Sequence, residues 1–262
     1  MEASEKTLKL TSAYNRFTTV SSVVFHRPAS SIRLHASLCV SESNLQEVLK
    51  LASIVLPMQA ADASAKSSGA AEMFGATPDL TPHAKKGLRE LGHGALAMLQ
   101  VLAEENQRPT FAADIDFKPL EDLDPRPWVM ACAGKGGLTA EFPFTSDTPS
   151  LMSAARGKAP GTALLQLGTD FKHPQLGDGV LIRLSLPLNV TAEFVNELNM
   201  LEAGGGAGKA DQLGGWCEDK NGPVFVSFIP TCLLEQYRLA DAIEDNAIRT
   251  RWVKALLVES NV

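Results

Sequence analysis

The sequence predicts an α+β protein built on antiparallel β-hairpins with helices packed on one face, and three stretches carry the prediction. Residues 179–204 change period once. Val180, Ile182, Leu184 and Leu186 alternate with Arg183 and Ser185. After Thr191 the apolar positions Phe194, Val195, Leu198 and Leu201 line one side of a helix that Gly204 can terminate. Two turn-centred patterns flank this stretch. Residues 128–132 and 138–144 are strand-like around Gly134-Lys135-Gly136-Gly137, and residues 213–218 and 224–229 are strand-like around Lys220-Asn221-Gly222-Pro223, where Asn-Gly is a strong hairpin signal.

Taken in order, the chain opens with a segment, residues 6–41, that contains no Asp or Glu but carries Lys6, Lys9, Arg16, Arg27 and Arg33 among many Ser and Thr. Organelle transit peptides share that composition. Within it, however, Ile32, Leu34, Ala36, Leu38 and Val40 alternate with Arg33, His35, Ser37 and Cys39, as a half-buried strand does, and 16–25 is a second β-branched run. We favour folded strands here over a removed leader. Ser43 and Gln46 make a capping box for a helix whose apolar face is Leu45, Val48, Leu49, Ala52, Val55 and Leu56, with Pro57 set to kink or end it. Residues 1–60 are therefore expected as a β-β-α unit.

Residues 61–80 are small, polar and aperiodic, which predicts a flexible linker and a domain boundary before a second unit at 81–262. Thr81-Pro82 opens a helix with Leu88, Leu91, Ala95, Met98, Leu99 and Leu102 at helical spacing. Residues 114–127, acidic and proline-rich, are expected to be irregular. Residues 145–178 give no clear period beyond a short strand-like run at 163–167, so a loop is expected. Thr231 is the expected cap of a last helix with Leu233, Tyr237, Ala240, Ile243, Ala247, Trp252 and Leu256 inside and Arg238, Asp241, Asp245, Arg249 and Lys254 outside. Phe228 is expected between sheet and helices.

An internal echo connects the two ends of the chain. With Val24–Ala60 laid on Trp216–Trp252, both read strand, connection, strand, helix, and Ile32, Leu34 and Ala36 fall over Val224, Val226 and Phe228. The echo implies a partial internal duplication, in which the N-terminal unit is the back half of a second copy.

Composition narrows function more by exclusion than by assignment. A formal net charge of -6 disfavours binding to a phosphate backbone, so nucleic acid is not an expected partner. No apolar run of about 18 residues predicts a membrane span. Cys39, Cys132, Cys217 and Cys232 form no C-x-x-C pair, and reduced thiols in the cytoplasm are the simplest reading, with an organelle as the alternative if the N-terminus is a leader. His26, His35, His83, His93 and His173 show no metal-ligand spacing, so no metal or other cofactor is expected. Residues 202–210 superficially suggest a phosphate loop. Ala203 stands where such a loop needs glycine, Ala210 where it needs Ser or Thr, and the stretch closes a helix instead of opening one. Asp170, His173 and Asp178, with Glu141, are the one set in which acid/base chemistry could be sought. No catalytic residue is assigned.

The order from residue 81 onward, helix, three strands, helix, two strands, helix, resembles the type III secretion chaperone-like fold, particularly the YbjN-like proteins. The residues that carry the resemblance are GGLTAEFPF at 136–144, GVLIRLSLPLN with AEFVNELNMLE at 179–202, and GGWCEDKNGPVFVSFIP at 214–230. The resemblance implies a twisted antiparallel sheet, helices on one face and a role in binding proteins, often as a dimer, with no catalytic residues to carry over. The insert at 145–178 and the additional N-terminal residues depart from that pattern. The expected function is a non-enzymatic protein-interaction or chaperone-like module. The alternative is a small-molecule-binding protein or hydrolase using Glu141, Asp170 and His173. A half domain with an unpaired strand edge also predicts a homodimer.

Overall fold

The computed structural model describes residues 5–16, 21–29, 31–38, 45, 49, 52, 55, 56, 59, 90, 94, 97, 129–134, 136–144, 161–169, 171–173, 177–207, 213–230 and 236–259. The fold is α+β with antiparallel sheets. Helix α1 (Glu5–Asn15) leads into β1 (Ser22–His26) and β2 (Ser31–His35), a two-stranded sheet. The larger sheet holds β3 (Val129–Gly134), β4 (Gly137–Pro143), β5 (Thr162–Gly168), β7 (Gly177–Ser185), β9 (Gly222–Pro230) and β8 (Gly215–Asp219), in that spatial order. The short β6 (Lys172–His173) pairs with the start of β7. Helices α2 (Ala192–Ala203) and α3 (Gln236–Glu259) complete the described elements.

The alternation read in the sequence decides which face is buried. Leu138, Ala140 and Phe142 of β4, Ala163, Leu165 and Leu167 of β5, and Val180, Ile182 and Leu184 of β7 share one face, and Val195, Leu198, Leu239, Ile243, Ala247 and Val253 of α2 and α3 close over it. Each Val, Leu, Ile or Phe among them contributes roughly 1.5–3 kcal/mol by leaving water. Thr191 caps α2, its hydroxyl accepting from the Phe194 N–H at 3.3 Å, as the sequence predicts.

Five expectations need correction. Residues 5–15 form a helix, so the N-terminal order is α-β-β where strands alone were expected before the helical stretch. The buried positions of α1 are Leu8, Thr11, Ser12 and Asn15, a helical face with one aliphatic side chain, which hydrophobic periodicity cannot register. Within 145–178, β5 is a full strand between β4 and β7, not loop. Phe228 is buried, but its register partner is Leu181, which packs with Cys217, Val224 and Val226 on the face opposite α2 and α3. Its ring lies against Gly179, where a Cβ would come within 2.4 Å, and meets Phe171 edge-on at 5.8 Å. Leu201 is exposed although placed inside, and Arg249 is 2% exposed although placed outside. The helix read from Ser43 onward is not among these five: Leu45, Leu49 and Leu56 stand at helical positions and are exposed, while Val55 of the same stretch is buried.

Glu90, Gly94 and Ala97 are helical and exposed, which agrees with their place off the apolar face read for that helix. The expected linker at 61–80, Thr231, Leu233 and the acidic stretch at 114–127 lie outside the described residues.

Candidate functional site

The most heavily built polar region is the junction of α1 and β1 with α2 and β8. Helix α1 packs on α2 and β8, and β1 packs on α2. A strand uses alternate residues on each edge, so the groups of β1 not spent on β2 belong to Val23 and Phe25, and those of β8 not spent on β9 belong to Trp216 and Glu218. All four residues are satisfied by side chains. Asn15 accepts from the Val23 N–H at 2.5 Å and donates to its carbonyl at 2.9 Å. Asn196 accepts from the Phe25 N–H at 2.8 Å and donates to its carbonyl at 3.2 Å. Asn199 does the same to Trp216, at 2.8 and 2.9 Å.

At Glu218 the task is divided. Ser12 Oγ accepts from the N–H at 2.6 Å and the Arg16 guanidinium donates to the carbonyl. A primary amide offers one donor and one acceptor in the same geometry as a peptide edge, so each asparagine acts as a one-residue strand. Leaving such buried groups bare costs about 1–3 kcal/mol each. The contact is tight enough that Gly215 admits no side chain: a Cβ there would lie 2.9 Å from Asn15 and 3.1 Å from the Ser22 Cα. Arg27 and Glu193 add an exposed ion pair across it.

A second network lies beneath. Glu202, the next turn of α2 after Asn199, accepts from Arg249 Nε at 2.6 Å and from Trp216 Nε1 at 2.6 Å, with both charged side chains almost wholly buried. Arg249 lies 4.0 Å over the Phe225 ring, and Trp216 meets that ring edge-on at 5.4 Å. Glu202 and Arg249 thus lock α2, β8, β9 and α3 together. Beside β8, burial pushes the free Cys217 thiol up to about 11 while Arg16 pulls the other way. A thiol raised in this way stays protonated near neutral pH, so Cys217 fits a packing role in the core.

The residues singled out for acid/base work do not gather. Glu141 is exposed on β4, level with Leu164 and Ser185, whereas His173 and Asp178 sit at the other end of β7. Seven residues of strand, about 23 Å at 3.3 Å per residue, separate Ser185 from Asp178. Asp170 lies outside the described residues. Among the described residues there is no group of three metal-ligating side chains, and no helix is long and apolar enough to cross a membrane. The roles of Asn15, Asn196, Asn199, Glu202 and Arg249 cannot be read from the sequence. On α2 the signal is the run of polar residues at 196, 199 and 202, one turn apart beside the apolar stripe of Val195 and Leu198. Comparison with known proteins finds no matching family model, no matching curated protein and no matching solved structure.

Proposed function

We propose that this chain is a non-enzymatic, chaperone-like protein-interaction module. The observation that carries the reading is the exposure of Leu45, Leu49 and Leu56, at 49%, 61% and 64%, on positions four and seven apart along a helical stretch. Three leucines on one side of a helix form an apolar face that water disfavours and another polypeptide can cover. The element order β3, β4, β5, β6, β7, α2, β8, β9 and α3, an antiparallel sheet with helices on one face, supports the chaperone-like resemblance, although β5 and the short β6 are two strands more than the sequence order implies.

Against the hydrolase alternative, among the described residues Glu141 and the β6–β7 turn stand at opposite ends of the strands. A homodimer of the intact chain through β1 or β8 also loses its motive, since the outward groups of both strands are bonded within the chain.

The test is suppression of aggregation of a chemically denatured client protein on dilution. The full chain is expected to suppress it, and Leu45→Lys/Leu49→Lys/Leu56→Lys is expected to lose that effect while keeping the parent's far-UV circular dichroism and melting curve. No suppression by the parent, or equal suppression by the variant, would overturn the reading.

A further inference from the structure

The contacts between the N-terminal unit and α2–β8 repeat themselves. Asn15 at the end of α1 holds both backbone groups of Val23 in the strand that follows, and Asn199 of α2 holds both backbone groups of Trp216 in the strand that follows. Three positions before each asparagine stands the residue that reaches across: Ser12 to Glu218, and Asn196 to Phe25. Phe25 is two residues after Val23, as Glu218 is two after Trp216. Four positions before Ser12 and Asn196 stand Leu8 and Ala192, and those two share a cluster with Phe25. One residue before Val23 and Trp216 stand Ser22 and Gly215, so close that a Cβ on Gly215 would lie 3.1 Å from the Ser22 Cα. This is the signature of a two-fold contact: when residue i of one unit touches j of the other, j of the first touches i of the second, and positions on the axis touch their own counterparts.

The sequence echo had placed Val24 over Trp216. The hydrogen bonds place Val23 there, one residue earlier, and bring α1 into the repeat opposite α2.

We propose that α1–β1–β2 is an internal counterpart of α2–β8–β9, occupying a self-association face whose alternative occupant is the α2–β8 surface of a second copy of this chain. That surface is equipped for the exchange. Asn196 of a second copy would offer the Glu218 N–H and carbonyl in one amide what Ser12 and Arg16 now supply together. Lys220 follows Glu218 by two residues as Arg27 follows Phe25, so Glu193 of the second copy would meet Lys220 as Glu193 now meets Arg27. Gly215 leaves room for its own counterpart on the axis. The resident segment wins in the intact chain because it is tethered, which makes its effective concentration high, and because Leu8 fills more apolar space than Ala192 would. The inference is independent of the leucine face on which the proposed function rests.

The experiment uses the full chain carrying Ala192→Cys, with the parent and its four cysteines as control. With the N-terminal unit in place, Ala192→Cys should remain monomeric in sedimentation velocity and on a non-reducing gel. Adding Leu8→Asp/Phe25→Asp, which expels the resident segment, should raise the sedimenting mass toward twice the monomer and yield a disulfide-linked dimer absent from the same variant without Cys at 192. A further Asn196→Arg should abolish both. Should the aspartate pair lose the parent's circular dichroism, Ser12→Ala/Arg16→Ala, which removes the bonds to Glu218 without burying a charge, is scored in the same way. An opened chain that folds and stays monomeric, or one that dimerises without linkage through position 192 or regardless of Asn196→Arg, overturns the proposal. Loss of fold in both opened variants also overturns it, because the N-terminal unit would then be part of an obligatory core and not a replaceable counterpart.

Discussion

The core beneath the large sheet and the junction of α1–β1 with α2–β8 are both closely packed, yet they are held by opposite chemistry. The first is aliphatic and aromatic: Leu165, Leu184, Val195 and Leu198 are fully buried and direct almost no hydrogen bonds. At the second, Asn15, Asn196, Asn199 and Ser12 are buried and nearly all their polar atoms are spent on strand backbones. A core of the first kind is non-directional and tolerates volume-conserving exchange. A junction of the second kind is directional, so a change of one atom in an asparagine matters more than a change in its size. The difference explains how the molecule manages two strand edges. Pairing β1 directly to β8 would have fused the sheets. Side chains, three of them amides, satisfy both edges and keep the units distinct, which blunts the tendency of free edges to recruit other chains.

The sharpest break in the comparison is the buried Glu202–Arg249 pair, which ties α2 to α3 beside β8. Arg249→Ala leaves Glu202 charged and buried with only the Trp216 indole as partner, so a loss of about 3–5 kcal/mol is expected in urea unfolding. Glu202→Leu/Arg249→Leu should recover much of it, since an uncompensated charge and not a missing attraction is what destabilises. A single mutant as stable as the parent would mean that water reaches Glu202.

Next in size is an apolar truncation. Phe228→Ala should cost roughly 3–5 kcal/mol through lost transfer energy and the cavity left between Phe171 and Gly179. An unfolding free energy within about 1 kcal/mol of the parent would show that the face opposite α2 and α3 is not closed.

Asparagine variants test the directional side of the comparison. Asn199→Ala strips partners from the buried Trp216 N–H and carbonyl and should cost about 1–3 kcal/mol. Asn199→Asp keeps the size but turns the donor into a second acceptor facing the Trp216 carbonyl, so it should be no better than alanine in the same measurement. An aspartate variant as stable as the parent would break the view of these amides as one-residue strands.

The same contrast decides what was legible in the sequence. Val180, Ile182, Leu184 and Leu186 announced β7, and Leu138, Ala140 and Phe142 announced β4, because their alternation is the physical cause of the burial. Strand β5 was harder, since its signal of five residues sits in an otherwise aperiodic stretch. Helix α1 has Thr11, Ser12 and Asn15 on its inner face, and Arg249 is charged, so both obey a rule of partner satisfaction that a single chain read in one dimension cannot display. The strands that meet at the junction were partly legible. The asparagines that join them were not, because their partners are strand backbones, which any sequence offers equally.

The smallest expected effect separates the two regions by pH. Burial, with help from Arg33 and His26, holds the His35 imidazole below its ordinary value, so the opened hairpin binds a proton more readily than the paired one. Stability of the β1–β2 pairing should therefore be complete above the unperturbed value near 6.5 and should decline as pH falls below it, with the decline ending once the folded imidazole itself protonates. The group is half-buried, so solvent screening keeps the effect small, and neither β4 nor β5 carries a histidine. Hydrogen exchange compared between pH 7 and about pH 5, corrected for intrinsic rates, should show reduced protection at Val24, which pairs with Arg33, and unchanged protection at Leu165. His35→Gln should remove the difference. Equal loss at both amides would mean that the hairpin and the large sheet open as one cooperative unit, and the contrast between a directional junction and a non-directional core would then hold for their contacts but not for their unfolding.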